Sequence, residues 1–208
     1  MIFEPQWLRW ARELQALAQT GSHFATSDYD RERYKRISEI AAEIFAEQGD
    51  IEGSKIRTIF AAQSGYATPK VDVRAAVFRD RKILLVQERS DNLWTLPGGW
   101  ADVNDSPSEA IEKEVWQESG FKIRVERLLA VFDRAKHPHE PPFPFHIYKM
   151  FFLCEIESGE ATPSAETASV DFFAPEALPP LSLSRITNEQ IRFCFETGLD
   201  EAKPAAFD

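Results

Sequence analysis

The sequence predicts an α+β protein in which helices sandwich a mixed β-sheet and a small all-α block comes first. Two observations carry this prediction. Apolar residues recur at helical spacing up to residue 65, and from Val71 onward they form the alternating or short continuous runs of strands. Strands and helices then follow one another without a regular βαβ alternation, so a mixed sheet is expected.

The first 65 residues are predicted to form three helices. The first covers residues 5–21 and is expected to end at Gly21. The second covers residues 29–47 and ends at Gly49, and the third covers about residues 54–62. A block this small is not expected to fold alone, so we expect it to pack on the rest of the chain or on a partner chain. The first helix places these side chains at helical spacing: Trp7, Leu8, Ala11, Leu14 and Leu17.

The middle of the chain has the pattern of strands. Residues 71–78 and 82–88 flank Asp80-Arg81 and predict a hairpin. A short strand over residues 93–97 leads into Gly98-Gly99. Further predicted elements are strands at 125–133, 146–156 and 168–173 and a final helix over about 187–197.

One helix carries the residues that point to chemistry. Ser106 as N-cap, followed by Pro107 and Glu109, predicts a capping box, and Gly120 ends the helix at residue 119. Residues at i, i+3 and i+4 share a helix face, so Glu114, Gln117 and Glu118 bring two carboxylates and an amide oxygen together. A solvated helix face is the alternative. Mg²⁺, which takes oxygen ligands and bridges to substrate phosphates, would neutralise this cluster.

Composition and charge narrow the possible functions. The net charge is −10, and residues 155–208 hold 11 acidic and 3 basic side chains, so no basic face for extended nucleic-acid binding is evident. No apolar run approaches the length of a membrane span. Cys154 and Cys194 are expected to be buried, reduced thiols, which fits a cytoplasmic protein.

The stretch 99–121, GWADVNDSPSEAIEKEVWQESGF, resembles the Nudix box, G-x5-E-x7-R-E-U-x-E-E-x-G-U with U a bulky apolar residue. Three positions depart from the pattern: Asp105 stands for the first Glu, Lys113 for Arg, and Gln117 for the middle Glu. The spacing is preserved throughout. The matching positions are Gly99, Glu114, Val115, Glu118, Gly120 and Phe121.

This resemblance implies a domain organisation and an activity. It implies a helical N-terminal domain over 1–65 that serves dimerisation, a Nudix hydrolase domain over 68–197, and a tail over 198–208. Segments such as WTLPGGWADV and LPPLSLSR resemble a bacterial subgroup of ADP-ribose and CDP-choline pyrophosphatases. Such enzymes split a nucleoside diphosphate linked to a group X into NMP and phosphorylated X, with Mg²⁺, or alternatively Mn²⁺, bound to the diphosphate.

The resemblance also assigns roles to residues. Glu114 and Glu118 would be metal ligands, and one of them would accept the proton of the attacking water. Lys113 would hold a glutamate in place, although it lacks the bidentate fork of the usual arginine. Gln117 brings no charge, which predicts fewer ions or weaker binding. The carbonyl of Gly98 is a further expected metal ligand, and Glu166 is a candidate late catalytic residue that could equally brace its loop.

Four residues are candidates for substrate binding: Arg74, Arg89, Trp100 and His137. The two arginines could clamp a phosphate or instead pair at the surface, and His137 could read a base or be exposed. Two other functions stay open. One is a hydrolase of RNA ends or nucleoside triphosphates, and the other is a non-catalytic nucleotide sensor, which Gln117 favours.

Overall fold

The computed structural model describes residues 4–49, 51–200 and 202–208. It confirms the α+β class. The helices are α1 (Gln6–Phe24), α2 (Asp28–Gln48), α3 (Gly53–Ala61), α4 (Pro107–Ser119) and α5 (Asn188–Gly198), with a 3-10 turn at Arg134–Lys136. The strands are β1 (Lys70–Arg79), β2 (Lys82–Glu88), β3 (Trp94–Thr95), β4 (Phe121–Asp133), β5 (Ile147–Gly159), β6 (Thr167–Phe173) and β7 (Ala206–Phe207).

The described chain forms two compact units. The helical unit contains the chain up to residue 70 together with residues 142–146. Its core is made by apolar residues on the facing sides of the three helices, with Trp7 edge-on to Phe45 at 5.6 Å between ring centres. The buried members of this core are Leu8, Ala11, Ala41, Ala42, Phe45, Ile56 and Phe60.

The first helix differs from its prediction in two ways. It continues through Gly21 to Phe24, and Leu17, predicted to lie on the packing stripe, is exposed. The glycine at position 21 is explained by a tertiary contact and not by a helix end, because a Cβ there would lie 2.2 Å from the Tyr34 ring of α2. Gly21 therefore permits close approach of two helices instead of ending one. The predicted end of α2 at Gly49 is confirmed.

The second unit contains residues 71–141 and 147–208 and holds the mixed sheet. The strand order is β3-β2-β1-β5-β4-β7, and β6 pairs with β2. The predicted hairpin is confirmed: β1 and β2 are antiparallel, and Asp80 and Arg81 both adopt positive φ at the turn. β7 lies in the segment 198–208 and pairs in parallel with Ala130 and Val131 of β4.

Helices cover both faces of this sheet. Alternation along β1 sends Val73, Ala75 and Val77 into a core shared with α4, while Ala76 faces the core shared with α5. The two cores are what place α4 against the middle of the sheet. The predicted bounds of α4 are confirmed, since the Ser106–Glu109 capping box forms and Gly120 adopts the left-handed conformation.

Two further expectations were tested by the structure. Cys154 and Cys194 are both buried and free. None of the described helices is long and apolar enough to cross a membrane.

Candidate active site

The site is built around the turn at Gly98-Gly99, between β3 and α4. Gly98 has φ +137°, and a Cβ there would lie 2.0 Å from the carbonyl oxygen of Val73. Only glycine fits this conformation and this contact. The turn lies directly against β1, because Val73 N donates to Gly99 O at 2.8 Å and Ala75 N donates to Pro97 O at 3.0 Å.

Glu118 is the most buried carboxylate of α4. Its side chain accepts a hydrogen bond from the Gly98 amide at 2.8 Å, and the residue is only 5% exposed. The end of the helix is held in place as well, because Thr167 Oγ1 of β6 donates to the backbone oxygen of Glu118 at 2.7 Å. Helix and glycine turn thus fix this carboxylate from two sides.

Glu114 lies one helical turn earlier, beside the second glycine. A Cβ at Gly99 would lie 3.1 Å from both carboxylate oxygens of Glu114. The absence of a side chain at this position therefore gives the Glu114 carboxylate its room. The two glycines of the turn accommodate the two glutamates of the helix, one each.

The electrostatic surroundings of these glutamates are unusual. Burial raises the pKa of Glu118 to about 8; Arg74 and the Gly98 amide oppose this shift, while Glu114 and Glu88 add to it. Burial also raises the pKa of Glu114, with Glu166 and Asp102 adding to the shift against Arg74 and Lys113. We call Glu88, Glu114 and Glu118 the acidic cluster. Carboxylates of like charge in so little water are poised for a positively charged ligand.

The carboxylates of the acidic cluster fit a divalent metal ion that takes oxygen ligands. No group of three or more His, Cys, Asp or Glu side chains within the described ranges encloses a metal position. Magnesium does not need such a cage, because it usually keeps several waters and binds one or two carboxylates together with substrate phosphates. Glu118 and Glu114 could supply such carboxylates, and a cation beside them would relieve the unfavourable burial of their charge. The Gly98 carbonyl belongs to the same turn.

Two of the predicted helix residues, Gln117 and Lys113, are exposed. Gln117 is exposed, whereas Glu118, the next residue, is buried. Lys113, with its side chain 44% exposed, donates to Asp102 at 2.7 Å and to Asp105 at 3.3 Å. It therefore ties the loop before α4 to the helix. Its predicted role in holding a glutamate is corrected by these partners.

Arg74 is also corrected, because it cannot clamp a substrate phosphate. It is 3% exposed, and its Nε and Nη2 donate to the two oxygens of Asp72 at 3.0 and 2.7 Å. Asp72 in turn accepts from the ammonium of the buried Lys149. Burial alone would raise the pKa of Asp72, but Arg74 and Lys149 outweigh it and lower this pKa to about 2. We call Asp72, Arg74 and Lys149 the buried triad.

The remaining candidate site residues are Arg89, Trp100, His137 and Glu166. Arg89 is exposed, and it holds the loop of Glu166, since its Nε donates to Ser164 O at 3.2 Å and its amide donates to Glu166 O at 2.9 Å. Trp100 follows the glycine turn and is partly exposed. His137 lies elsewhere, 3.4 Å from Asp208 and against the Phe132 ring. Glu166 is near enough to raise the pKa of Glu114.

Sequence reasoning missed Glu88 and the two residues that form the buried triad with Arg74, namely Asp72 and Lys149. Glu88 is buried at the end of β2, and its Oε1 lies 3.4 Å from Nε of Arg185. The available signal was a charged residue at the end of a strand whose residues 83–86 form a continuous apolar run. Asp72 and Lys149 each interrupt a predicted strand in the same way, so charge within a buried strand was the common sign.

A separate cavity of about 540 Å³ lies within the helical unit. Its lining combines amides and hydroxyls with exposed charges, including Gln15, Ser38 and Arg57. Its lining includes no buried carboxylate.

Known proteins resemble this chain in both of its parts. Residues 68–193 match the family model of the NUDIX domain. Residues 5–60 match a model described as the UDP-X-like N-terminal oligomerisation domain. Both matches coincide with compact regions of the structure.

Two similar proteins match this chain over almost its whole length, and a third matches about two thirds of it. YjhB of Bacillus subtilis, provisionally named an ADP-ribose pyrophosphatase, is 41% identical over 205 residues, which are 99% of this chain and 98% of the relative. The crystal structure of a UDP-X diphosphatase is 34% identical, with a TM-score of 0.62 and full coverage of both chains. That of an ADP-ribose pyrophosphatase from Streptococcus suis is 42% identical, with a TM-score of 0.61, and covers 68% of this chain and 100% of that one.

Proposed function

Because this chain belongs to the Nudix hydrolase family, we propose that it cleaves the diphosphate of a nucleoside diphosphate linked to a group X, releasing NMP and phosphorylated X. The observation that carries the proposal is the Glu118 carboxylate, buried and held by the Gly98 amide beside Glu114. The names of the relatives support ADP-ribose or another NDP-X as the substrate. CDP-choline is a further candidate of the same chemical class.

We assign metal-binding and proton-accepting roles to the residues around the Gly98-Gly99 turn as follows. Glu118, Glu114 and the Gly98 carbonyl would hold Mg²⁺, or Mn²⁺ in its place, which supplies charge neutralisation of the diphosphate and a lowered pKa of bound water. The attacking water loses its proton to one of the two glutamates. Glu166, on a loop held by Arg89, would be the late catalytic residue, which its effect on the pKa of Glu114 supports. Gln117, exposed and uncharged, would contribute at most one weak oxygen ligand.

A direct assay tests this function. The chain is incubated with ADP-ribose, UDP-sugars, CDP-choline, nucleoside triphosphates and 5′-triphosphate RNA, each with Mg²⁺ and with Mn²⁺, and the products are separated by chromatography. NMP from a diphosphate-linked substrate is expected. Release of pyrophosphate or of an RNA 5′-monophosphate would select the alternative hydrolase, and nucleotide binding without any product would select the sensor.

A matched pair of variants tests the role of Glu118. Glu118→Gln keeps the shape of the side chain but removes its charge, so turnover should fall by roughly a thousandfold, as for loss of a central electrostatic group. Glu112→Gln makes the same change on the same helix, where Glu112 only accepts from the Val125 amide at 3.4 Å. This control should retain the parent's turnover. Equal activity of the two variants would contradict the assignment.

We further propose that the protein is a homodimer joined through its helical unit. Trp10, Leu17 and Phe24 are exposed at seven-residue spacing on α1, a spacing that aligns side chains for helix pairing. The match of residues 5–60 to an oligomerisation domain supports a second copy as the partner of this face. Light scattering should give the mass of a dimer for the parent and of a monomer for Leu17→Glu. A dimeric Leu17→Glu would place the interface elsewhere.

Localisation to the cytoplasm is part of the same proposal. It is supported by the two buried free thiols, which need no oxidising compartment.

A further inference from the structure

The glycine turn is held to β1 by a continuous series of hydrogen bonds. Backbone bonds from Val73 and Ala75 reach Gly99 and Pro97, and Ala101 N donates to Val71 O at 3.0 Å. One side chain adds to this series: Nη1 of Arg74 donates to Leu96 O at 3.0 Å. Arg74 thus contacts the strand-to-turn segment at the residue where β3 has ended and the turn begins.

Arg74 also lies directly behind Gly98. A Cβ at Gly98 would be 3.0 Å from the Arg74 Cα, which shows how closely the two backbones approach. On its other side, Gly98 donates its amide to Glu118. A short path of direct contacts therefore leads from the Arg74 guanidinium through Leu96 and Gly98 to the carboxylate.

The orientation of the guanidinium is fixed by Asp72. The two oxygens of Asp72 accept from Nε and Nη2, which is the bidentate arrangement that holds an arginine plane in one geometry. With these two nitrogens engaged, Nη1 is directed at Leu96 O and lies 3.4 Å from Thr95 Oγ1. Few other positions of this buried side chain would satisfy its donors.

We propose that Arg74 is a positioning residue of this enzyme: held by Asp72, it fixes residues 96–98 so that the Gly98 amide and carbonyl stand correctly against Glu118. This inference rests on the proposed function for its effect on turnover but not for its effect on the turn. Lys113, at the box position of an arginine, is directed instead to Asp102 and Asp105. Arg74 also opposes the rise in the pKa of Glu118, which agrees with its place beside the carboxylate.

The buried triad provides its own control. Arg74→Gln removes one cation and leaves Asp72 paired with Lys149, whereas Lys149→Met removes the other and leaves Asp72 paired with Arg74. Both cations are buried, at 3% and 2% exposure, and both variants keep one neutral ion pair. Both should therefore lose a comparable part of their stability. Only Arg74→Gln removes a hydrogen bond to the turn.

The readout that does not depend on substrate is the Gly98 amide. The chain has 9 glycines, so selective ¹⁵N-glycine labelling gives a simple NMR spectrum. In Arg74→Gln we expect the Gly98 resonance to move and its amide hydrogen to exchange faster, because its bond to Glu118 is weakened. In Lys149→Met this resonance should keep the parent's position and protection. An unmoved Gly98 in Arg74→Gln, or equal changes in both variants, would overturn the proposal.

Kinetics on the best NDP-X substrate provide the second readout. Misplacing a catalytic group by about 1 Å can cost on the order of a hundredfold, so kcat of Arg74→Gln should fall by about that factor, while KM stays close to the parent's. Lys149→Met should keep its kcat. Arg74→Lys retains the charge but not the fork, so it should not restore kcat or the Gly98 resonance. Full recovery of kcat and of the Gly98 resonance in Arg74→Lys would show that Arg74 acts through its charge alone and would overturn the positioning role. If the parent protein is inactive on every substrate, the proposed function is refuted. The NMR comparison of Arg74→Gln with Lys149→Met then decides the positioning proposal.

Discussion

The sheet unit buries two groups of charged side chains that are built in opposite ways. In the buried triad the signs alternate, and every charge has a hydrogen-bonded partner of opposite sign. In the acidic cluster three carboxylates share one sign, and Glu118 accepts only an amide where Asp72 accepts a guanidinium fork and an ammonium. The first group is satisfied by the chain itself. In the second group, Glu88 has an ion-pair partner, since its Oε1 lies 3.4 Å from Nε of Arg185. No such cation is paired with Glu114 or Glu118 within the described residues, so we expect a positively charged ligand to balance these two carboxylates.

The sharpest test of this contrast separates activity from stability. Glu118→Gln should abolish most turnover, roughly a thousandfold, because it removes a charge that the reaction uses. Its free energy of unfolding, measured in urea, should stay equal to the parent's or rise, because a buried charge beside Glu88 and Glu114 is removed. A large loss of stability would show that the acidic cluster holds the fold together.

The reverse result is expected in the triad. Asp72→Asn leaves two buried cations facing a neutral amide, so the free energy of unfolding should fall by roughly 3–5 kcal/mol. The control is Glu155→Gln, which breaks an exposed ion pair with Arg124 (N···O 2.7 Å) and should change stability by at most about 1 kcal/mol. Similar small effects of both variants would mean that the triad is dispensable for folding.

The positive charge of Lys149 also acts on His139, and this can be tested by the pH dependence of stability. Burial lowers the pKa of His139 to about 3, with repulsion from Lys149, Arg134 and His137 adding to the shift against a hydrogen bond to Leu183 O. The unfolded chain protonates this histidine near pH 6.5, whereas the folded chain does not, so stability should fall as pH falls from about 6.5 towards 3. Urea unfolding across this range should show a flatter decline in His139→Gln. Identical slopes would exclude His139 as the titrating group.

A smaller effect is expected at the second glycine of the turn. Gly99→Ala places a methyl group 3.1 Å from both Glu114 oxygens, so the carboxylate must shift by a few tenths of an ångström. Turnover should fall by about tenfold, equivalent to roughly 1.4 kcal/mol in the barrier, with little change in stability. Gly53→Ala is the control and should keep parental turnover. Its added methyl would lie 3.2 Å from Nη1 of the Arg57 side chain and 3.4 Å from the Ala46 methyl.

Local signals explain what could be predicted from the sequence. The bounds of α4 were predicted because its start and end depend on neighbouring residues, the Ser106–Glu109 box and the left-handed Gly120. The same holds for the hairpin at Asp80-Arg81, whose turn is defined within a few residues. Pairing of Glu114 and Glu118 on one helix face likewise follows from helical spacing alone.

Long-range contacts explain the errors. Arg74 looked available to a substrate because nothing near it reveals that Lys149, far along the chain, completes the pairing of Asp72. Gly21 looked like a helix end because the sequence does not show the Tyr34 ring against it. Glu88 was overlooked because its neighbours Glu118 and Arg74 come from other elements. In each case the decisive partner lies on a separate strand or helix.

The last residues of the described chain bear on how the protein can be handled. Residues 200 and 202–208 lie along the outer side of β4, where Arg127 donates to Asp200 O and Lys203 O and the Asp133 amide donates to the Asp208 carboxylate. Without these residues, the outer edge of β4 would expose unpaired backbone groups. Other copies of the protein could then pair with this edge and form an intermolecular sheet. Trimming this segment to aid crystallisation should therefore lower solubility, and an affinity tag is better attached elsewhere.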